Sequence, residues 1–237
     1  IIPGLKKITD AIHKEGAAAS IQIGHCGNMS HKNICGCRPI SASSGFNIYS
    51  PTLVRGMKPS EITAMAKAFG QAVHLAREAG MDAVEIHAGH GYLISQFLSP
   101  TTNKRTDEFG GSPENRARFA KLVIEEVRKQ VGPFFPIFVR ISADEMVEGG
   151  NTLEDTLEYL QYFEKEVDVF DVSCGLNGSI QYQIDANYLP DGWRSFMAKA
   201  VKEKYGKPCM TVGNIRDPKV AEDILAKGDA DFIGMGR

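Results

Sequence analysis

Two histidines and a tyrosine stand close together in the segment His87-Ala88-Gly89-His90-Gly91-Tyr92. Imidazole and phenol groups can hold a carbonyl oxygen and supply a proton, so a turn that gathers them would form a site for acid–base chemistry. We therefore predict His87, His90 and Tyr92 as catalytic residues. The alternatives are histidines at the edge of the core or ligands of zinc, which neutral imidazole often binds.

Two glycine-bearing segments stand near the end of the chain, Thr211-Val212-Gly213-Asn214 and Gly234-Met235-Gly236-Arg237. Glycine lets backbone N–H groups approach a phosphate closely, and an adjacent arginine can bind it through two hydrogen bonds. Each glycine alone would be interpreted as a turn residue. The pairing of the two segments predicts that Gly213, Asn214, Gly236 and Arg237 bind a cofactor.

Three polar residues interrupt apolar segments: Gln22 in IQIG, His25 directly after it, and Arg140 at the end of FVR. Buried polar groups must find partners, and a polar heterocycle would provide them. Gln22 and Arg140 are therefore predicted to contact a cofactor. The alternative is an internal salt bridge, for example between Arg140 and Asp171 or Glu85.

Short apolar segments that predict buried strands alternate with amphipathic segments that predict helices. The six predicted strands are residues 16–24, 83–87, 136–141, 169–173, 208–212 and 231–235. Helices are predicted over residues 5–12, from Ser60, and after caps at Ser112, Thr152 and Asp217. This alternation predicts an α/β fold built from parallel βα units.

The polar residues fall at the carboxyl ends of the predicted strands, and no G-x-G-x-x-G follows the first of them. Both features favour a (β/α)₈ TIM barrel over a doubly wound open sheet. Six strands are two fewer than a closed barrel requires. We therefore expect one domain over residues 1–237, truncated to about strands 3 to 8 and incomplete at both ends.

The overall composition excludes several classes of partner. A formal charge of −2, from 27 basic and 29 acidic residues, offers no basic surface for nucleic acid. No apolar segment approaches the roughly 20 residues that span a bilayer. We expect a cytoplasmic protein whose partner is a small molecule, and a homo-oligomer is compatible with the sequence.

The five cysteines are expected to be reduced, because a chain of 237 residues does not need disulfides to fold. Cys26, Cys35 and Cys37 share one loop with His31. Their spacing, C-x₈-C-x-C, lacks the paired C-x₂₋₄-C of ordinary zinc sites. No metal site is predicted.

Five segments of the sequence closely resemble the Old Yellow Enzyme family of FMN-dependent NAD(P)H oxidoreductases. These segments are IQIGHCG, EIHAGHGYLISQFLSPTTNKRTDEFGGSPENRARF, FVRIS, TVGNI and IGMGR. Within that family the chain looks most like bacterial ene-reductases with an H-x-x-H pair. It also resembles the barrel domains of 2,4-dienoyl-CoA reductase and 2-enoate reductase.

The resemblance implies a role for each matching residue. Gln22 and Arg140 would contact the pyrimidine edge of FMN, and the FMN phosphate would be held by Gly213, Gly236 and Arg237. His87 and His90 would polarise the carbonyl of an α,β-unsaturated substrate while the flavin delivers hydride to the β-carbon, and Tyr92 would protonate the α-carbon. NAD(P)H would be the electron donor.

Two positions depart from the resemblance. Asn28 stands where family members often have arginine, and Asn177 lies near the position of a histidine in dienoyl-CoA reductases. Any iron–sulfur cysteines would follow Arg237. Two other functions stay open: a flavin-dependent amine dehydrogenase or demethylase of the same fold, and a metal-dependent barrel hydrolase that uses His25, His87 and His90.

Overall fold

Six parallel strands form the main sheet of the protein, whose computed structural model describes residues 1–236. In chain order the strands are β1 (Ser20–Ile23), β2 (Ile40–Ser41), β3 (Gly45–Asn47), β4 (Thr52–Gly56), β5 (Ala83–His87), β6 (Ile137–Ser142), β7 (Val169–Ser173), β8 (Cys209–Val212) and β9 (Phe232–Gly234). The main sheet has the order β1-β5-β6-β7-β8-β9. All six predicted strands are confirmed, with β5 and β7 at the predicted bounds.

Helices connect these strands, as the predicted βα order requires. In chain order they are α1 (Ile2–Lys14), α2 (Lys32–Cys35), α3 (Pro59–Glu78), α4 (Leu93–Leu98), α5 (Pro113–Val131), α6 (Leu153–Tyr159), α7 (Ile180–Gln183), α8 (Ser195–Tyr205) and α9 (Pro218–Ala226). The caps at Ser112, Thr152 and Asp217 are confirmed, since each side chain accepts a hydrogen bond from a backbone N–H of its helix. Ser60 is not a cap, because α3 begins at Pro59 and the Glu61 carboxylate accepts the Lys58 N–H at 2.8 Å.

The side chains of strand β6 alternate between the hydrophobic core and the cavity. Ile137, Val139 and Ile141 are completely buried in the hydrophobic core. Phe138 and Arg140 alternate with them and therefore point to the opposite face, where they line a large cavity. Burial of each aliphatic side chain contributes about 1.5–3 kcal/mol, so the core fixes the direction of the polar side chains between them.

Residues 40–56 form a second, smaller sheet. Strands β3 and β4 pair antiparallel, with Phe46 opposite Leu53, and β2 pairs with β4 in parallel. This three-stranded sheet follows β1 in the chain and packs near α4. No pattern in the sequence predicts this sheet, because strands of two to five residues carry too few alternating positions to show a period.

Helix α8 was also missed by the sequence analysis. Asp191-Gly192-Trp193-Arg194 precedes it and has the composition of a turn, and Arg194 at the N-cap makes no capping hydrogen bond.

Within residues 1–236, no helix is long and apolar enough to cross a membrane.

Candidate active site

The predicted catalytic residues meet at the carboxyl end of the main sheet. Strand β5 ends at His87, and the chain then turns through His90 and Gly91, whose φ angles are 59° and 75°. The turn places the His87 ring centroid 5.2 Å from that of His90 and 5.0 Å from that of Tyr92. The three rings line a cavity of about 460 Å³ together with His25 and Arg140.

Strand β6 holds this turn in place. The backbone N–H of His90 donates to Ser142 Oγ at 2.9 Å. A Cβ atom on Gly89 would lie 2.9 Å from the backbone nitrogen of Ser142, so only glycine allows the turn to approach the neighbouring strand this closely. The side chain of Asn177 lies 3.5 Å from the carbonyl oxygen of His90 and donates to it from the other side.

The two imidazoles differ in their hydrogen bonds. His90 Nε2 lies 2.8 Å from Ser173 Oγ, so the hydroxyl can donate to Nε2 and leave the ring proton on Nδ1. His87 Nδ1 is buried and has no hydrogen-bond partner among the described residues. An unpartnered buried nitrogen costs free energy unless a ligand satisfies it.

Both histidines should stay neutral across the physiological pH range. Burial, assisted by the positive charge of Arg140, lowers the pKa of His87 to about 4 and that of His90 to about 2. Neutral imidazole has one donor and one acceptor nitrogen, so each ring can donate one hydrogen bond to a ligand without carrying charge.

The lowered pKa values of His87 and His90 predict how their NMR signals respond to pH. On lowering the pH from about 8 to 5, the ring resonances of His87 and His90 should not titrate, whereas in urea both should titrate near 6.5. Because the folded-state pKa values are lowered, these residues disfavour folding increasingly as the pH falls below 6.5. A titration near 6.5 in the folded protein would disprove the burial argument.

Gln96 organises the loops around the cavity and is completely buried. Its Oε1 accepts from the backbone N–H of Asn28 at 3.1 Å and from Ser41 Oγ at 2.9 Å. Its Nε2 donates to Asn28 Oδ1 at 2.7 Å and to the Gly91 carbonyl at 2.6 Å. One amide thus joins the loop after β1 to the turn that carries His90.

Replacing Gln96 with methionine should lower the free energy of unfolding by about 2–4 kcal/mol, because the buried partners would lose their hydrogen bonds. Urea unfolding of the ligand-free protein measures this change. The matched control is Gln130→Met at an exposed position of α5, which should shift stability by less than about 0.5 kcal/mol. Equal losses in both variants would contradict the role of Gln96.

Gln22 and Arg140 also line the larger cavity, of about 1050 Å³, which adjoins the first. Gln22 Nε2 donates to Glu85 Oε1 at 2.5 Å. Arg140 Nε lies 3.5 Å from Asp171 Oδ2, which confirms the ion pair weighed from the sequence. The contact is too poorly aligned to satisfy Arg140 Nε, which has no hydrogen-bond partner.

The glycine-bearing segments line the far part of the same cavity. Gly213, Asn214 and Gly236 are among its lining residues, and Arg237 lies outside the described residues. Asn214 has a φ of 46°, and its Nδ2 donates to the carbonyl oxygens of Ala186 at 3.1 Å and Leu189 at 3.0 Å. Both amide hydrogens of Asn214 therefore bind protein, which fixes this residue at the wall of the cavity.

A family model described as "NADH:flavin oxidoreductase / NADH oxidase family" matches residues 1–237. The chain belongs to this family. It is 39% identical over 236 residues to an NADH oxidase of Thermoanaerobacter brockii, covering 99% of this chain and 36% of that protein. It is 38% identical over 237 residues to an NADPH dehydrogenase of Bacillus subtilis, covering 100% of this chain and 67% of that protein. The chain thus spans about a third of one relative and two thirds of the other.

Solved structures of similar proteins have the same fold. A 2-naphthoyl-CoA reductase in complex with 2-naphthoyl-CoA superposes with a TM-score of 0.93 at 33% identity, covering 100% of this chain and 38% of that one. Histamine dehydrogenase from Rhizobium sp. 4-9 gives 0.89 at 30% identity, with 100% and 35% covered. An old yellow enzyme homologue from Zymomonas mobilis, a TIM barrel, gives 0.83 at 26% identity, with 100% and 67% covered. The predicted α/β barrel fold and the predicted family are confirmed.

The residues of the NADH:flavin oxidoreductase site fit a flavin. Four buried side-chain atoms lack a hydrogen-bond partner among the described residues: His87 Nδ1, Arg140 Nε, Asp171 Oδ1 and Gln183 Oε1. All four residues line the two adjoining cavities. Burial also raises the pKa of Asp171 to about 7, so this carboxyl can donate or accept a hydrogen bond. A heterocycle with donors and acceptors along one edge would satisfy such a set.

Several residues of the site were missed by the sequence analysis. Ser173 closes β7 as an ordinary polar strand residue, and Gln183 and Arg194 lie in a segment without a periodic pattern. Their contacts come from tertiary structure, so no spacing in the sequence could have identified them.

His25, His87 and His90, the residues of the metal-dependent alternative, line one cavity but do not form a metal-binding group among the described residues. Among residues 1–236, no group of three or more His, Cys, Asp or Glu side chains lies close enough to hold a metal ion. His25 Nδ1 accepts the Gly27 N–H at 3.0 Å, a bond that fixes the ring within its own loop. All five cysteines are free thiols, as expected.

Proposed function

We propose that this chain forms the FMN-binding barrel of an NAD(P)H-dependent oxidoreductase that reduces the activated C=C bond of an α,β-unsaturated carbonyl compound. The observation that carries the proposal is the convergence of His87, His90 and Tyr92 on a cavity that adjoins the one lined by Gln22 and Arg140.

Bound FMN would supply hydride chemistry at the β-carbon of the substrate, with NAD(P)H as the electron donor. Gln22 and Arg140 would hold its pyrimidine edge, and the guanidinium would stabilise negative charge there. Gly213 and Gly236, with Asn214 and Arg237 beside them, would surround the phosphate.

The remaining chemistry belongs to the site's own side chains. Neutral His87 and His90 would donate hydrogen bonds to the carbonyl oxygen, where negative charge develops as the double bond is reduced. Tyr92 would hold a proton for the α-carbon, because its phenol is the remaining acid among the three converging rings.

A second candidate is oxidation of an amine, favoured by the structural similarity to histamine dehydrogenase. The electrostatics of the smaller cavity oppose it. Arg140 contributes a positive charge, and no carboxylate is among the described residues that line this cavity. A protonated amine would enter without a counter-charge, whereas a carbonyl oxygen would meet donors.

The first test identifies the chromophore of the full-length protein. Denaturation should release stoichiometric FMN, recognised by absorbance and mass, and iron analysis of the same sample tests whether an iron–sulfur cluster accompanies it. Anaerobic mixing then separates the two activities: cyclohexenone should reoxidise the reduced flavin, whereas histamine should not bleach the oxidised flavin. A protein without flavin, or one bleached only by amines, would refute the proposal.

A further inference from the structure

A buried arginine lines the larger cavity beside Gly213, at the predicted phosphate end. Arg194 precedes α8 and is only 3% exposed. Its Nε donates to the carbonyl oxygen of Val212, the last residue of β8, at 2.6 Å. Burying a guanidinium costs free energy unless its N–H groups find hydrogen-bond partners. The partners of Arg194 therefore identify the segments that it holds in place.

The other partners lie on both sides of Gln183. Arg194 Nη1 donates to the Tyr182 carbonyl at 2.8 Å, and Nη2 pairs with Asp185 Oδ2 at 2.7 Å, in an ion pair whose side chains are both buried. Nη1 also contacts Cys174 Sγ at 3.1 Å. One side chain therefore ties the end of β8 to residues 182–185, a wall segment in which Gln183 and Ile184 line both cavities.

Arg194 also explains why residue 213 is glycine. Gly213 has a φ of 108°, and a Cβ atom built there would overlap the guanidinium of Arg194. The guanidinium of Arg194 therefore packs directly against the backbone of Gly213 and holds it in place. Any group bound on the cavity side of Gly213 would rest on a backbone whose position this side chain sets.

Two further contacts tie the same two segments together. Asn214 binds the carbonyl oxygens of Ala186 and Leu189, and Arg216 forms an ion pair with Asp191. The Gly192 N–H also donates to the Asn214 carbonyl at 3.2 Å, so residues 182–192 are joined to residues 212–216 at four points. Arg194 is the buried residue among these contacts. It should therefore set the spacing between residues 182–185 and the backbone of Gly213.

We propose that Arg194 is a positioning residue for the FMN phosphate, acting through Gly213 and the 182–185 wall. Four of its five N–H groups bind protein atoms and its charge is paired with Asp185, so it acts through the backbone it supports. The inference rests on the proposed flavin site, and it extends that site to a residue that no motif marks.

The test compares FMN with riboflavin, which lacks the phosphate. Dissociation constants for both are measured by flavin fluorescence on the full-length apoprotein, for wild type, Arg194→Lys and Arg194→Met. Loss of a charge-assisted hydrogen bond that orders the loop should weaken FMN binding by about 10- to 100-fold. The dissociation constant of riboflavin should change by less than about threefold, because riboflavin has no phosphate and so loses no contact there.

Arg128→Met is the matched control. Arg128 is also mostly buried and binds the Glu166 and Phe135 carbonyl oxygens and Asp168, but at the opposite end of the strands. Its loss should destabilise the protein without changing the ratio of FMN to riboflavin affinity. Equal weakening of both flavins in the Arg194 variants, or no change in either, would overturn the inference. If wild type binds neither flavin, the proposed function fails and the inference fails with it.

A double-mutant cycle with Gly213→Ala gives an independent readout, and it uses the lysine variant in case Arg194→Met does not fold. Part of the cost of the alanine methyl comes from overlap with the guanidinium. Gly213→Ala should therefore weaken FMN binding more in wild type than in Arg194→Lys, a coupling expected of residues in contact. Additive effects would contradict the proposed support of Gly213 by Arg194.

Discussion

Replacing Tyr92 with phenylalanine should slow oxidation of the reduced flavin by cyclohexenone by roughly 10²- to 10⁴-fold, the usual contribution of a positioned general acid. The Tyr92 ring lies 5.0 Å from that of His87 and lines the smaller cavity. Both histidines are neutral, with lowered pKa values, so neither is a strong acid at neutral pH. The phenol is then the group left to protonate the α-carbon.

Stopped-flow absorbance of the full-length protein measures the two half-reactions separately. Reduction of the flavin by NAD(P)H should be nearly unchanged in Tyr92→Phe, since that step requires no proton from the phenol. Tyr162→Phe, on the helical side of the protein, is the control and should leave both steps unchanged. Equal losses in both half-reactions would mean that Tyr92 shapes the site without donating a proton.

The parts of this fold that could be predicted are those specified locally. Strands β5 and β7 are short, mostly apolar segments, and the cap at Ser112 is followed directly by Pro113. Each signal acts over a few residues and agrees with the tertiary structure. The convergence of His87, His90 and Tyr92 followed from the same logic, because a turn after a buried strand leaves them little room to separate.

The parts that could not be predicted depend on residues far apart in the chain. Arg194 binds Cys174 and Val212, which are separated by most of a βα unit, and its own segment has the composition of a loop. Arg140 shows a different limit. From the sequence, a flavin contact and an ion pair were alternatives, whereas the structure shows an ion pair with Asp171 that still leaves Arg140 Nε unsatisfied.

Removing the His90 ring should affect the reaction with the enone far more than the binding of FMN. His90→Ala should slow reoxidation by cyclohexenone by about 10²- to 10³-fold, the usual loss when one donor to a developing oxyanion is removed. FMN affinity should change little, because His90 lines the smaller cavity and is absent from the lining of the larger one. Stopped-flow kinetics and fluorescence titration of the same variant measure the two properties.

Ser173→Ala separates the donor from the residue that orients it. This variant keeps the His90 ring but removes the hydroxyl 2.8 Å from Nε2, so the ring proton can sit on either nitrogen. Loss of this hydrogen bond removes the preference for one tautomer, which should lower the rate by less than about tenfold. If Ser173→Ala slowed the reaction as much as His90→Ala, orientation would dominate and the ring would contribute little without it. If His90→Ala had no effect on the enone step, hydrogen bonding to the carbonyl oxygen would have to come from His87 alone.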